Sequence, residues 1–127
     1  MFTSPGINIY TLNVRRLVAF YEGLGFTETF RVPRSGDPIH VELRLEHFTI
    51  GVASVDSAIT HHGLKPELGG RPIEIVLWTD DTDGDFTSLT SAGALILSRP
   101  HDWLDGKLRI AWIADPDGNP IQLVQKR

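Results

Sequence analysis

Apolar and polar residues alternate from Ile7 to Leu12 (Ile-Asn-Ile-Tyr-Thr-Leu), the period of a strand with one buried face. The period then changes. Val14, Leu17, Val18, Tyr21 and Leu24 recur at three- and four-residue spacing, which predicts a helix capped by Asn13 and ended by Gly23 and Gly25. Phe26 to Val32 is a second strand, and Pro33 to Pro38 a turn. His40 to Glu46 alternates again, Glu46-His47 makes a short turn, and Phe48 to Ser54 is a fourth strand. Asp56 starts a short helix that stops at Gly63, within a connector running to Arg71.

The pattern restarts at Ile73 to Thr79, a strand, followed by an acidic helix start at Asp80 to Asp83 that suits the helix dipole. Phe86, Leu89 and Ala92 form a weak apolar stripe, and Gly93 ends it. Strands are predicted at Ala94 to Ser98, Leu108 to Ala114 and Asn119 to Gln125, with Arg99 to Gly106 a loop carrying Trp103. Asp115-Pro-Asp-Gly-Asn119 is a tight turn, since Pro116 presets φ and Gly118 tolerates positive φ. It resembles a calcium loop only in its first residues, because the later acidic ligand is missing. The two halves superimpose: Asn13 on Asp81 and Gly25 on Gly93, both 68 apart (81−13, 93−25), and Gly51 on Gln122, 71 apart (122−51). Half a chain of this length buries too little surface alone, so two tandem units sharing one core are expected.

The chain of 127 residues has the length of one domain and an ordinary globular composition, 41% apolar and 22% charged. A net charge of −4 argues against a nucleic-acid partner, which needs clustered Lys and Arg. There is no cysteine, so disulfides and thiolate chemistry are excluded. No apolar run approaches the roughly 20 residues of a membrane helix. The start lacks the basic and apolar regions of a signal peptide, so a cytoplasmic protein with no membrane partner is expected.

The segments from Asn13 to Phe26, Trp78-Thr-Asp-Asp81 and Asp115 to Asn119, followed by Ile121-Gln-Leu123, resemble the vicinal oxygen chelate superfamily of glyoxalases, bleomycin-resistance proteins and extradiol dioxygenases. The resemblance covers essentially the whole chain. It implies an α+β fold: one domain over 1–127, with βαβββ modules at 5–55 and 72–127 joined by a connector at 56–71. The mixed curved sheet would surround a cavity, with helices outside. Members with metal chemistry carry ligands at four symmetric strand positions. These fall here on Gly6, Gly51, Glu74 and Gln122. Glycine offers a metal no side chain, and an enzyme's divalent ion normally holds at least three protein ligands. The expectation is no cofactor, with a divalent metal on Glu74 and Gln122 as the runner-up.

If Glu74 and Gln122 face the cavity, strand parity sends Val76, Trp78, Val124, Asn8, Tyr10, Thr49 and Ala53 the same way. Glu42 and Arg44 are expected to join them. For the strand after Leu108, either Arg109, Ala111 and Ile113 or Ile110 and Trp112 look inward. Glycines at Gly6 and Gly51 would open space for a guest, and Tyr10, Trp78, Trp103 and Trp112 would stack on a flat molecule. The candidate ligand-binding set is Asn8, Tyr10, Arg44, Thr49, Gly51, Glu74, Trp78, Trp103, Trp112 and Gln122. Glu74 is the one candidate catalytic base, provided burial raises its pKa; otherwise it pairs with Arg44 or Arg109. Gln122 serves equally as a hydrogen-bond filler, and Trp78 and Trp112 as core. His61-His62 is expected in a solvated turn and His101 in a loop, with no spacing that signals a metal.

Two functions follow. One is metal-free binding of the bleomycin-resistance type, holding an aromatic or cationic small molecule, with a homodimer implied by the resemblance. The other is a metal-dependent glyoxalase-like lyase, isomerase or dioxygenase with an atypical site. Metal-free catalysis with Glu74 as general base is a third possibility.

Overall fold

Asn13 and Asp81 each turn the chain from a strand into a helix, and they do so by the same bonds. The Asn13 side chain accepts from the Arg16 amide at 3.1 Å and the Asp81 side chain from the Gly84 amide at 3.0 Å, satisfying donors that a helix leaves unpaired at its start. Two residues upstream, Thr11 Oγ1 accepts from the Asn13 amide and Thr79 Oγ1 from the Asp81 amide, both at 3.1 Å. The helices also end alike. Phe26 N donates to Tyr21 O at 3.1 Å and Ala94 N to Leu89 O at 3.0 Å, across Gly25 at φ +105° and Gly93 at φ +109°. That closure needs a left-handed residue, which glycine supplies without strain.

The computed structural model describes residues 1 and 3–127. The chain divides into two compact units, Met1–Gly69 and Gly70–Arg127. The first contains strand β1 (Ile7–Thr11), helix α1 (Val14–Gly23), β2 (Thr27–Val32), β3 (His40–Leu45), β4 (Phe48–Ser54) and helix α2 (Val55–His62). The second contains β5 (Ile75–Trp78), α3 (Thr82–Ser91), β6 (Leu95–Trp103), β7 (Leu108–Ala114) and β8 (Pro120–Lys126). Each unit is a βαβββ module with one four-stranded mixed sheet, ordered β1-β4-β3-β2 and β5-β8-β7-β6. The first strand of each pairs parallel to the last, and the remaining pairs are antiparallel. The sheets are not closed. No described helix is long and apolar enough to cross a membrane.

In the first unit, Val14, Leu17, Val18 and Tyr21 of α1 are buried against β3 and β4, where Val41, Leu43, Ile50 and Val52 have no exposed surface. Tyr21 meets Phe26 edge-on at 5.6 Å. Leu24 of the predicted stripe serves as the C-cap. In the second unit, α3 anchors through Phe86 and Thr82. Ala92, counted in the predicted stripe, is the exposed C-cap instead. Thr82 takes its share of the packing: its hydroxyl donates to Arg109 O at 3.0 Å and its amide to Gln125 Oε1 at 3.0 Å.

Three boundaries differ from the sequence pattern. β5 is four residues, not Ile73 to Thr79, so Glu74 lies just outside it. Its ladder begins at Ile75 opposite Ile121, because β8 starts at Pro120, which has no N–H to extend the pairing. β6 continues through Arg99 and Pro100 to Trp103, where a loop was expected. Register shifts on either side of Ser98 absorb the irregular residues and let pairing resume at His101. His101 and Trp103 are thus strand residues. Likewise, His61-His62 forms the last turn of α2, which Ser54 caps and Gly63 ends in left-handed geometry, and not an isolated turn.

The β7–β8 turn is built on Asp115, which has no exposed surface. Its Oδ1 accepts from the amides of Asp117 at 2.9 Å and Asn119 at 2.8 Å, and its Oδ2 from the Asn119 side chain at 2.7 Å. Those bonds occupy the carboxylate within the turn, which is why the segment is a hairpin connection and not a cation loop. Asp115→Ala should therefore cost about 3 kcal/mol by stranding buried donors. Asp81→Ala, an exposed cap, should cost about 1 kcal/mol. Urea midpoints at constant m-value measure both, and equal losses would contradict the assignment.

Candidate functional site

Strand register decides which side chains share a face. In the second unit Gln122 stands between Val76 of β5 and Trp112 of β7, and Val124 stands between Trp78 and Ile110. Arg109 points the other way, where its guanidinium meets Asp83 of α3 at 2.9 Å and Asp102 of β6 at 3.2 Å. This settles the open register of β7: Ile110 and Trp112 share the face of Gln122, while Arg109, Ala111 and Ile113 lie on the helix side. The same pairing holds the Asp83 carboxyl below its ordinary range, through the Arg109 hydrogen bond first.

Within its own unit Glu74 does not pair with Arg109, whose guanidinium is held by Asp83 and Asp102. Glu74 Oε2 accepts from the indole Nε1 of Trp112 at 2.8 Å, a bond that fixes the tilt of the ring. Glu74 is exposed. The His101 ring stacks on Trp112 with centroids 6.2 Å apart and planes 24° apart. Its Nδ1 lies 2.7 Å from Arg99 O. A carbonyl can only accept, so Nδ1 carries the proton and Nε2 is the ring's second contact point. The sequence pattern missed His101 because Pro100 and Asp102 disguise the strand. Trp78 is 61% exposed with Lys126 Nζ 5.6 Å above its ring, and Trp103, opposite Leu108, is 57% exposed. Neither tryptophan is core. Val124 and Ile110 on this face are buried, while Val76, Trp78 and Trp103 are exposed on it.

In the first unit Asn8 and Glu42 flank Gly51, Tyr10 and His40 flank Ala53, and Arg44 stands opposite Thr49. All share one face. Arg44 is exposed and donates through Nε to Glu46 O at 2.7 Å, which ties it to its own hairpin. Gly51 does not open space, contrary to the expectation. A Cβ there would lie 2.0 Å from Asn8 Oδ1 and 3.0 Å from His40 Cε1, so those side chains already occupy the room that glycine provides. The unoccupied volume lies beside them, a hollow of about 560 Å³ between this face and α2 that includes Asn8, Tyr10, His40, Ala53, His61 and His62.

The four positions that the resemblance implies for a metal can be tested as donors. Gly6 and Gly51 supply no side chain, and the Asn8 carboxamide fills the space above Gly51. Glu74 offers one carboxylate and Gln122 one amide, which makes two donors at four positions. Among the described residues no three His, Asp or Glu converge on a point. This donor set does not fit a resident divalent ion.

No curated protein sequence matches the chain significantly. Among solved structures, a hypothetical protein of S. aureus is similar at TM-score 0.79 and 19% identity, covering 98% of this chain and 95% of that one. TioX from Micromonospora sp. ML1 is similar at TM-score 0.76 and 21% identity, covering 98% and 100%. A lactoylglutathione lyase from Agrobacterium tumefaciens is similar at TM-score 0.71 and 15% identity, covering 97% and 93%. At these identities the likeness is one of fold. A family model covers residues 5–123, nearly the whole of the two βαβββ units, and by it the chain belongs to the Glyoxalase/Bleomycin resistance protein/Dioxygenase superfamily.

Proposed function

We propose that the protein binds a planar aromatic small molecule without a metal, in the manner of the superfamily's bleomycin-resistance branch. The observation that carries this reading is the Trp112 platform. Its ring is clamped at one edge by Glu74 at 2.8 Å and lined by His101 at 6.2 Å. A carboxylate accepts several hydrogen bonds, so Glu74 keeps acceptor capacity after accepting from the indole N–H. A ring ligand carrying a cation or an N–H group meets both features: a π surface to stack on and a negative charge at its edge. Gln122, half-buried beside Trp112, supplies a donor and an acceptor for orientation. Trp78 and Trp103 are further exposed rings on the same sheet face. Binding of this kind sequesters or carries its guest and leaves it chemically unchanged. The superfamily resemblance adds a homodimer with two equivalent sites to the proposal, testable by sedimentation.

Tryptophan fluorescence titration with proflavine, a planar cation, should show saturable quenching. Glu74→Gln should weaken binding about tenfold, and Trp112→Leu should remove most of it. Equal binding of naphthalene and proflavine, or indifference to both substitutions, would contradict the reading. Metal analysis of protein purified without chelator provides the second check. The expected result is substoichiometric Zn, Ni, Mn and Fe, and one equivalent of any of them would favour metal-dependent chemistry instead.

A further inference from the structure

Three aspartates in this chain are followed by glycine: Asp83-Gly84, Asp105-Gly106 and Asp117-Gly118. Glycine has no Cβ, so nothing shields its amide nitrogen from the carboxyl carbon of the aspartate before it. The fold meets this one dipeptide in three settings.

Two of the pairs are held. Gly84 N donates to Asp81 Oδ1 at 3.0 Å in the first turn of α3, and both Asp83 carboxylate oxygens accept from Arg109 at 2.9 Å. Gly118 N donates to Asp115 O at 2.9 Å, and Asp117 N to the buried Asp115 Oδ1 at 2.9 Å. A reaction at either glycine amide must first open these bonds. Asp105-Gly106 differs. It is exposed at the tip of the β6–β7 hairpin, in a turn closed by Lys107 N donating to Leu104 O at 3.1 Å. Among the described residues nothing bonds to the Gly106 amide or to the Asp105 carboxylate. Leu104 and Asp105 both take positive φ, +52° and +54°, a region that strains a residue with a Cβ.

We infer that Asp105 is a self-modification site, where the chain isomerises to isoaspartate through a cyclic imide with Gly106. The Gly106 nitrogen bonds to Asp105 Cγ, and a carboxyl oxygen leaves as water with the amide hydrogen. Water then reopens the ring. Cleavage between nitrogen and Cγ restores aspartate. Cleavage between nitrogen and the main-chain carbonyl carbon leaves Gly106 joined through Cγ and frees that carbonyl as a carboxylate. One water is released and one consumed, no electrons are transferred, and the mass is unchanged. The main chain is longer by one carbon, which falls inside the span of the Lys107–Leu104 bond. Lys107 O also accepts from Arg127 N at 2.9 Å, and Trp103 pairs with Leu108 directly beside the turn. The product is a hairpin with a loosened tip and a substrate for carboxyl methyltransferases that recognise isoaspartate. None of the Glu74 or Trp112 contacts takes part, so the site is independent of the binding proposal.

The test ages the whole folded protein in neutral buffer made with heavy-oxygen water, because each reopening of the imide leaves one heavy oxygen at the residue that formed it. Peptide mass spectrometry should find label at Asp105 at least about tenfold above that at Asp83 or Asp117, since two net hydrogen bonds must first open at each held site. Enzymatic methylation counts the isoaspartate, and Asp105→Ser should remove most of it. In urea the three sites should label at similar rates, which separates the effect of the fold from that of the dipeptide. Aged protein should also lose hydrogen-exchange protection at the Lys107 amide. Equal labelling of the three sites in folded protein, label confined to Asp83 or Asp117, or none at Asp105 while it labels in urea, would overturn the inference.

Discussion

A carboxylate with no exposed surface is tolerated only when its oxygens are occupied, and Asp115 meets that condition by bonding to the turn that follows it. The constraint has consequences beyond the turn. Asp115 N also donates to Asn119 O at 2.9 Å, closing the hairpin at its tight end. With the turn fixed, Ala114 must pair with Pro120, and every later pair in β7–β8 follows, including Trp112 with Gln122. A slip of one residue would send Trp112 to the α3 side and bring Arg109 onto the face of Gln122. The chemistry available on the second unit is thus set by a turn that touches none of it.

The two units share their scaffold and differ in what the scaffold displays. Thr11 with Asn13 and Thr79 with Asp81 make the same pair of bonds at the strand–helix junction. The register repeats as well: Asn8 stands beside Gly51 as Val76 stands beside Gln122. Yet at matching positions one unit has glycine and the other glutamine. Backbone geometry demands particular residues at caps and turns, because few side chains satisfy those donors or tolerate positive φ. It places no such demand on side chains of an open sheet face, so the faces can diverge while the frame stays recognisable.

That asymmetry explains how much was legible beforehand. Asn13, Asp81, Gly25 and Gly93 announced the helix ends, and the alternation of Ile50, Val52, Ile121 and Leu123 against Gly51 and Gln122 announced which face is core. The failures lie where local signals conflict with tertiary pairing. Pro100 and Asp102 read as loop, but β7 is long enough to hold them in β6 through a bulge. His101 was lost with them, and with it the ring that stacks on Trp112. For Glu74 the sequence offers a base or an arginine pairing. Its actual partner is an indole N–H, a contact that depends on three-dimensional reach and carries no pattern in a linear chain.

Gly51 shows why an absent ligand need not mean an empty site. Removing a side chain at a central strand position frees a volume, and close packing leads neighbours to take it. Here the Asn8 carboxamide lies across the glycine, 2.0 Å from where a Cβ would be, with His40 closing in from β3. Any side chain at position 51 would therefore require the Asn8 carboxamide to move first. The polar group that fills the gap belongs to the lining of the hollow beside α2.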